Sequence, residues 1–265
     1  MTTPDVPPGL ATFDDDAVRR VLCVVAHPDD MEYGASAVVA RWVDRGAAAA
    51  YLLLTGGEAG IEGMDPDETR RVRAAEQQHA CAEVGVEELE ILDHPDGTLV
   101  HGLDLRHDVA RAVRRFRPDT VVLMTWETET PWGLNQADHR AAGLAAVDGV
   151  RDADNTWVFR DLADAGLGKW GADRLVVMGH PAPTHGVDVS GEPLERAIRS
   201  LEAHEQYLAA LPWHPAPRDM LTGATAAQGQ ALGVANAVLF KLYELKEPSP
   251  APAPAPAPAD ADAAR

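Results

Sequence analysis

Five runs of the chain are apolar almost from end to end: VLCVVA (21–26), AAYLLLT (49–55), LEIL (89–92), TVVLMT (120–125) and RLVVMG (174–179). A strand with one wet face alternates polar and apolar residues, whereas these do not. Runs of this length without alternation are the signature of parallel strands buried on both faces. Such strands need helices above and below them, and helical periodicity separates the runs at 34–45, 67–84 and 104–116, from about Ala137 onward, and at 193–209. The order predicts an α/β protein with a Rossmann-like open, mostly parallel sheet and helices on both faces. The segment ANAVLFKLYEL (235–245) fits a strand or a helix.

Both ends read as additions to this unit. Residues 1–16 are Pro-rich and acidic, and EPSPAPAPAPAPADADAAR alternates Ala with Pro, which favours extended chain without a core. The expected organisation is a flexible lead over 1–16, one domain over 17–246 and a disordered tail over 247–265. With 42 acidic and 23 basic side chains the formal charge is −19. That balance argues against nucleic acid and anionic membrane as partners, since both require a cationic footprint. The N-terminus has no secretory pattern and no apolar run reaches the length of a membrane span, so the cytoplasm is the expected compartment. Cys23 and Cys81 lie in apolar stretches and are expected as buried thiols. Composition leaves open whether the chain forms a homo-oligomer.

In a sheet of this kind the ligand crevice lies beyond the carboxyl ends of the strands. The first run ends there in His27-Pro28-Asp29-Asp30, an imidazole and two carboxylates with no basic residue beside them. Pro28 biases His27 toward extended backbone, so the imidazole emerges where the strand stops. His27 and Asp30 can converge at a strand-to-helix turn and leave Asp29 free, an N/O pair plus a base that suits zinc. The same aspartates would also serve as helix caps. A third ligand is needed, and His139, in NQADHRAAG after the fourth strand, can reach the same crevice.

AHPDDMEYGASAVVARW resembles the LmbE-like, or PIG-L, family of zinc-dependent N-acetylglucosaminyl deacetylases. LLLTGGEAG, TRRVRAAEQQHACAEVGV, ILDHPDG, NQADHRAAG and VDVSGEPLERAIRSLEAHEQ follow in the family's order. The resemblance implies a metal-dependent hydrolase acting on a small N-acylated amino sugar or conjugate, with amidase action on another conjugate or a silent metal-binding module as alternatives. It implies Zn2+ on His27, Asp30 and His139, with Fe2+ as a competitor for the same donors. Asp29 would be the general base, Arg73 would lie near the sugar and Asp96 would bind a sugar hydroxyl. Arg73 with Glu76 also reads as a plain helical ion pair, and Asp96 as a turn residue.

The chain departs from the family at one place. Where the family commonly has His-Pro-Asp-His, this sequence has Gln136-Ala137-Asp138-His139. Gln136 can donate an amide hydrogen bond to an oxyanion but holds no proton for the leaving amine. Asp29 could return the proton it took, or His185, from the loop after the fifth strand, could supply one. Asp138 is then free to orient a ligand imidazole. Trp126 and Trp132 stand near the expected crevice as candidates for stacking or for packing.

Overall fold

The computed structural model describes residues 10–246. The elements in chain order are β1 (Ala11–Thr12), β2 (Arg20–Val25), α1 (Asp30–Gly34), α2 (Ser36–Asp44), β3 (Ala48–Thr55), α3 (Pro66–Val84), β4 (Glu88–His94), α4 (Leu103–Phe116), β5 (Thr120–Met124), β6 (Glu129–Thr130) and β7 (Gly133–Leu134). They continue with α5 (Ala137–Ala153), α6 (Arg160–Asp164), β8 (Arg174–Met178), β9 (His185–Asp188), α7 (Glu192–Glu202), α8 (Glu205–Ala209), α9 (Pro217–Leu232) and β10 (Ala237–Glu244). Eight strands form one sheet in the order β1-β9-β10-β8-β5-β2-β3-β4, while β6 and β7 make a separate hairpin. All pairs in the large sheet are parallel except those of β10 with β8 and β9.

The unalternating runs are explained by two cores, one on each face. Val21, Cys23 and Val25 of β2 join Tyr51, Leu53, Val122 and Val176 on the α2 side. Leu22, Val24 and Ala26 join Leu52, Leu54, Leu123 and Val177 against α4 and α5. Residues 21–26, 49–55 and 120–125 are buried throughout, whereas β4 at the sheet edge is only half-buried, and each large apolar side chain taken from water contributes about 1.5–3 kcal/mol. Both cysteines are buried free thiols.

The chain builds β2, β3 and β4 outward in one direction, then returns across β2 to lay down β5 and β8 on its other side. The carboxyl ends of β2 and β5 therefore flank the switch point, where connections leave in opposite directions and open a crevice.

Several boundaries differ from expectation. The lead expected over 1–16 is ordered sheet from Ala11, which pairs with His185, and Phe13 is buried against Trp42 and Phe240. Residues 1–9 and the expected tail 247–265 lie outside the described residues. The helix expected at 34–45 starts earlier, with a short α1 that breaks at Ala35 before α2. The helix expected over 193–209 breaks at His204, which is fully buried. Segment 235–245 is a strand. Helix α9 escaped notice because only Leu221, Thr225 and Gly229 are buried on it, a stripe one residue wide. No helix among the described residues is long and apolar enough to cross a membrane.

Gly143 sets how closely α5 approaches β5: a Cβ there would stand 2.6 Å from the backbone oxygen of Met124. Since α5 carries His139, this approach fixes one wall of the crevice. Gly143→Ala is expected to destabilise the fold by about 1–3 kcal/mol, an overpacking cost, measured as a lower urea midpoint at unchanged m-value.

Candidate metal centre

After β2 the chain turns sharply. Asp29 adopts a left-handed backbone, with φ 91° and ψ −22°, unusual for a residue with a Cβ. The conformation is secured from α3, where Gln77 Oε1 accepts the Asp29 amide at 2.9 Å. Asp29 stands at the N-cap of α1 without making a side-chain cap bond. The Asp30 carboxylate instead points back at the strand end, and its Oδ2 accepts the amides of Ala26 at 3.0 Å and His27 at 2.8 Å. Neither aspartate is spent on capping the helix.

Asp30 is the centre of the cluster. Its Oδ1 lies 3.1 Å from His139 Nε2, and its Oδ2 lies 3.6 Å from His27 Nδ1. The two imidazoles are 5.3 Å apart between ring centres. Ligand atoms of His27, Asp30 and His139 all fall within 4.8 Å of one another. Each ring turns its other nitrogen to an oxygen outside the cluster. His27 Nε2 meets Asp96 Oδ1 at 3.0 Å and Asp138 Oδ2 at 3.4 Å, while His139 Nδ1 meets Asn135 Oδ1 at 3.2 Å. Such outer contacts fix the tautomer and ring orientation of a ligating histidine.

The outer partners are themselves held. Fully buried Asp138 accepts the amides of Gly97 at 2.7 Å and Leu99 at 3.1 Å. Asp96 Oδ2 accepts the Ala59 amide at 2.8 Å. Asn135 donates to the carbonyls of Thr125 at 2.8 Å and Glu127 at 3.0 Å, which ties the ring of His139 to the end of β5. His27, Asp96 and Asp138 are also close enough to hold an ion. Both carboxylates of this second set accept backbone amides and face His27 Nε2. The two-imidazole, one-carboxylate set matches a donor set that zinc takes.

The electrostatics point the same way. Burial by itself pushes the His27 imidazole down, but Asp30, with Asp138 and Asp96, reverses this and raises it to about 12. His139 is likewise lowered by burial and raised further by Asp30. Burial would raise Asp30, yet the two imidazoles hold it far below the usual carboxylate range. Four carboxylates crowd this crevice around two imidazoles, a surplus of negative charge that a dication would offset.

Asp29 lies beside the cluster. Burial raises its carboxyl and the Asp30 charge adds to this, while the Arg73 guanidinium opposes both. Arg73 is nine-tenths and more buried. It donates to Asp29 Oδ2 at 2.9 Å, to the Gly57 carbonyl at 3.1 Å and to the Pro28 carbonyl, under the ring of Tyr207 at 4.1 Å. Its hydrogen bonds are thus to Asp29 and the backbone around it, and it does not pair with Glu76. Glu76 accepts the Gln206 amide at 2.6 Å at the start of α8. Asp96, expected on a sugar hydroxyl, sits on His27. Gln136 is exposed immediately before α5, with no side-chain hydrogen bond among the described residues.

His185 is not brought to the cluster. It opens β9, four strand positions from β2, roughly 19 Å at sheet spacing, with its Nδ1 on Thr184 Oγ1 at 2.9 Å. The fifth connection ends in an outer strand, which its Pro-rich sequence did not disclose. Trp126 packs near Tyr243, and Trp132 lies over Gly179. Gln77, Asn135 and Tyr207 were not foreseen. Gln77 alone left a trace, as a polar residue on the inward stripe of α3.

Residues 22–150 match the family PIG-L, described as GlcNAc-PI de-N-acetylase. The chain is similar to that family over this segment. It is 28% identical to a diacetylchitobiose deacetylase of Thermococcus kodakarensis over 205 residues, 76% of this chain and 74% of that one. A 1D-myo-inositol 2-acetamido-2-deoxy-alpha-D-glucopyranoside deacetylase of Kineococcus radiotolerans is 32% identical, with 56% of this chain and 51% of the relative covered. The fold is shared with the N,N'-diacetylchitobiose deacetylase of Pyrococcus horikoshii, at a TM-score of 0.77 and 21% identity over 86% of this chain and 85% of that one. It is also shared with GalB, the 4-carboxy-2-hydroxymuconate hydratase of Pseudomonas putida, at 0.70 and 16% identity over 87% and 98%.

Chelator-treated protein is expected to take up one divalent transition-metal ion per chain, read by calorimetric titration. At a hundredfold excess over Kd the ion should add about 2.7 kcal/mol of stability, seen as a higher unfolding midpoint. Asp30→Ala and His139→Ala should each abolish both the uptake and the rise.

Proposed function

We propose that the protein is a zinc-dependent hydrolase that removes an N-acyl group, in the first place acetyl, from an amino sugar or amino-sugar conjugate. The observation that carries the reading is the union of two imidazoles and a carboxylate with a separate, buried carboxylate, Asp29, at the switch point of the sheet. The relatives named above are deacetylases of N-acetylated sugar compounds, and their names point to the same substrate class.

His27, Asp30 and His139 would hold the ion. When bound, it would supply Lewis acidity to a water molecule and to the amide carbonyl. Two neutral imidazoles and one carboxylate suit zinc, and the same donors accept Fe2+.

The rest falls to the chain. Asp29 takes a proton from the attacking water as the new C–O bond forms. Arg73 holds that carboxylate in place and limits its two oxygens to a single free edge. The amide C–N bond then breaks, and the departing nitrogen needs a proton. His185 is four strands away and Gln136 has none to give, so Asp29 returns the one it took. Gln136, exposed three residues before His139, would donate its amide to the carbonyl oxygen as negative charge develops there.

Asp29→Ala should lower kcat for release of primary amine by about 100-fold or more, the range of a lost general base, while the protein still binds one zinc. Activity equal to wild type on a panel of N-acetylated amino sugars would remove Asp29 from this role.

A further inference from the structure

Arg73 and Asp96, the residues expected on the sugar, direct their contacts to Asp29, to His27 and to the backbone. The hydroxyls of a sugar held in the crevice are left to other partners. Three polar side chains that the proposed chemistry does not use converge further along the same end of the sheet. Glu127 lies three residues beyond the end of β5, and His180 two residues beyond the end of β8. Lys241 of β10 is in register with Val177, one residue before β8 ends.

Contacts tie this group to the crevice. Thr125 donates its amide to the Met178 carbonyl at 3.0 Å, which joins the two strand exits. Asn135, whose Oδ1 meets His139 Nδ1 at 3.2 Å, donates from Nδ2 to the Glu127 carbonyl at 3.0 Å. One side chain therefore touches both the ring of a metal-ligand candidate and the backbone that carries Glu127. Trp132 closes over Gly179, where φ is 69° and a side chain would strike the indole, and so fences the turn into His180. β8 stands two positions from β2, roughly 10 Å at sheet spacing, a separation that one pyranose ring and its N-acyl arm span.

Within the group the polar atoms leave one another unsatisfied. His180 Nδ1 accepts the Ala182 amide at 3.0 Å, so the proton of the neutral ring sits on Nε2. Nε2 faces Glu127 Oε1 at 4.0 Å, outside hydrogen-bond range. Burial lowers the imidazole from its usual range, and Lys241 adds to this against the opposing pull of Glu127. A neutral ring held in this way offers an N–H but is no acid for the leaving amine, since loss of that proton would leave an imidazolate. Among the described residues neither the Glu127 carboxylate nor the Lys241 ammonium makes a hydrogen bond. Two donors thus face one acceptor across a gap. An anion there would be repelled by Glu127 and a cation by Lys241. A hydroxyl accepts from one side and donates to the other, and answers both.

We propose that Glu127, His180 and Lys241 form a station for one ring hydroxyl of the reacting sugar, on the side away from its N-acyl group, and that the station selects substrates by that hydroxyl. This rests on the deacetylase reading. The hydroxyl takes a hydrogen bond from His180 Nε2 and gives one to Glu127, while Lys241 offsets the charge of the carboxylate.

The test measures kcat/KM for primary-amine release from N-acetylglucosamine and from its 3-deoxy, 4-deoxy and 6-deoxy counterparts. The proteins are zinc-loaded wild type, Glu127→Ala, His180→Ala and Lys241→Met, with Glu129→Ala, exposed on the neighbouring hairpin, as control. In wild type one deoxy sugar should react about 10- to 100-fold more slowly than the parent, the size of a hydrogen bond to a charged group. Glu127→Ala and His180→Ala should lose that preference by slowing the parent sugar alone, and Lys241→Met should weaken it, while Glu129→Ala keeps it. Glu127 is half-exposed, so its variant decides the matter if His180→Ala does not fold. Equal rates with all four sugars in wild type, or a loss in Glu127→Ala that is the same for parent and deoxy sugars, overturns the station. If wild type releases no amine from any sugar, the deacetylase reading fails, and the station is decided by calorimetric titration with the same four compounds. Binding of the parent that is lost both on removal of one hydroxyl and in Glu127→Ala sustains it, and its absence overturns it.

Discussion

One carboxylate, that of Asp30, makes the contacts on which the rest of the switch point depends. Its Oδ2 takes the two amides at the end of β2, and its Oδ1 reaches His139 on α5. Strand end, first helix and returning helix thus meet on one side chain. The N-cap position of α1 belongs to Asp29, whose carboxylate is turned to Arg73 instead of the helix amides. The missing cap, worth about 1 kcal/mol in an ordinary helix, is given up for that contact.

Charge is the second constraint. Asp29, Asp30, Asp96 and Asp138 surround His27 and His139 with one guanidinium nearby, that of Arg73, already turned to Asp29. The sequence made this imbalance visible, because HPDD stands at a strand end with no Lys or Arg beside it. It could not make visible how the acids divide the work. Asp138 and Asp96 are bound by backbone amides of the loops after β3 and β4, and those loops are placed by parallel pairing of strands far apart in the chain. Tertiary register assigned each acid to its partner, which local pattern does not encode.

The same division explains which parts of the fold were legible. Strands buried on both faces announce themselves, and β2, β3, β5 and β8 lie within a residue or two of the runs that predicted them. The outer strands are different. β1 is two residues long and is held by its pairing with β9, so nothing local marks it. β10 is half-buried and antiparallel between parallel neighbours, and its mixed pattern fits either structure. His185 falls under the same limit: no local pattern shows that the chain after β8 proceeds to the far side of the sheet.

Helix α3 shows how the base is supported. Its buried stripe is Thr69, Arg73, Glu76, Gln77, Ala80, Cys81 and Val84, helical in period but half polar in content. An inward-facing helix ordinarily buries apolar residues there, since each buried polar group must find a partner. Here the partners that Arg73, Glu76 and Gln77 find belong to the surroundings of Asp29, while Thr69 Oγ1 has none among the described residues. Arg73 grips its carboxylate, Gln77 accepts its amide, and Glu76 anchors α8, which lays Tyr207 over Arg73. Gln77 in turn donates to Glu32 at 3.2 Å, and Ser200 of α7 donates to the same carboxylate at 3.1 Å. The left-handed backbone at Asp29, a conformation costing about 1–2 kcal/mol in a residue with a Cβ, is therefore held by three helices acting through hydrogen bonds rather than by apolar packing. GalB has the same fold and is named as a hydratase, so the sheet alone does not choose the reaction. In this chain the polar stripe of one helix holds the Asp29 carboxylate buried beside, but not within, the cluster of His27, Asp30 and His139.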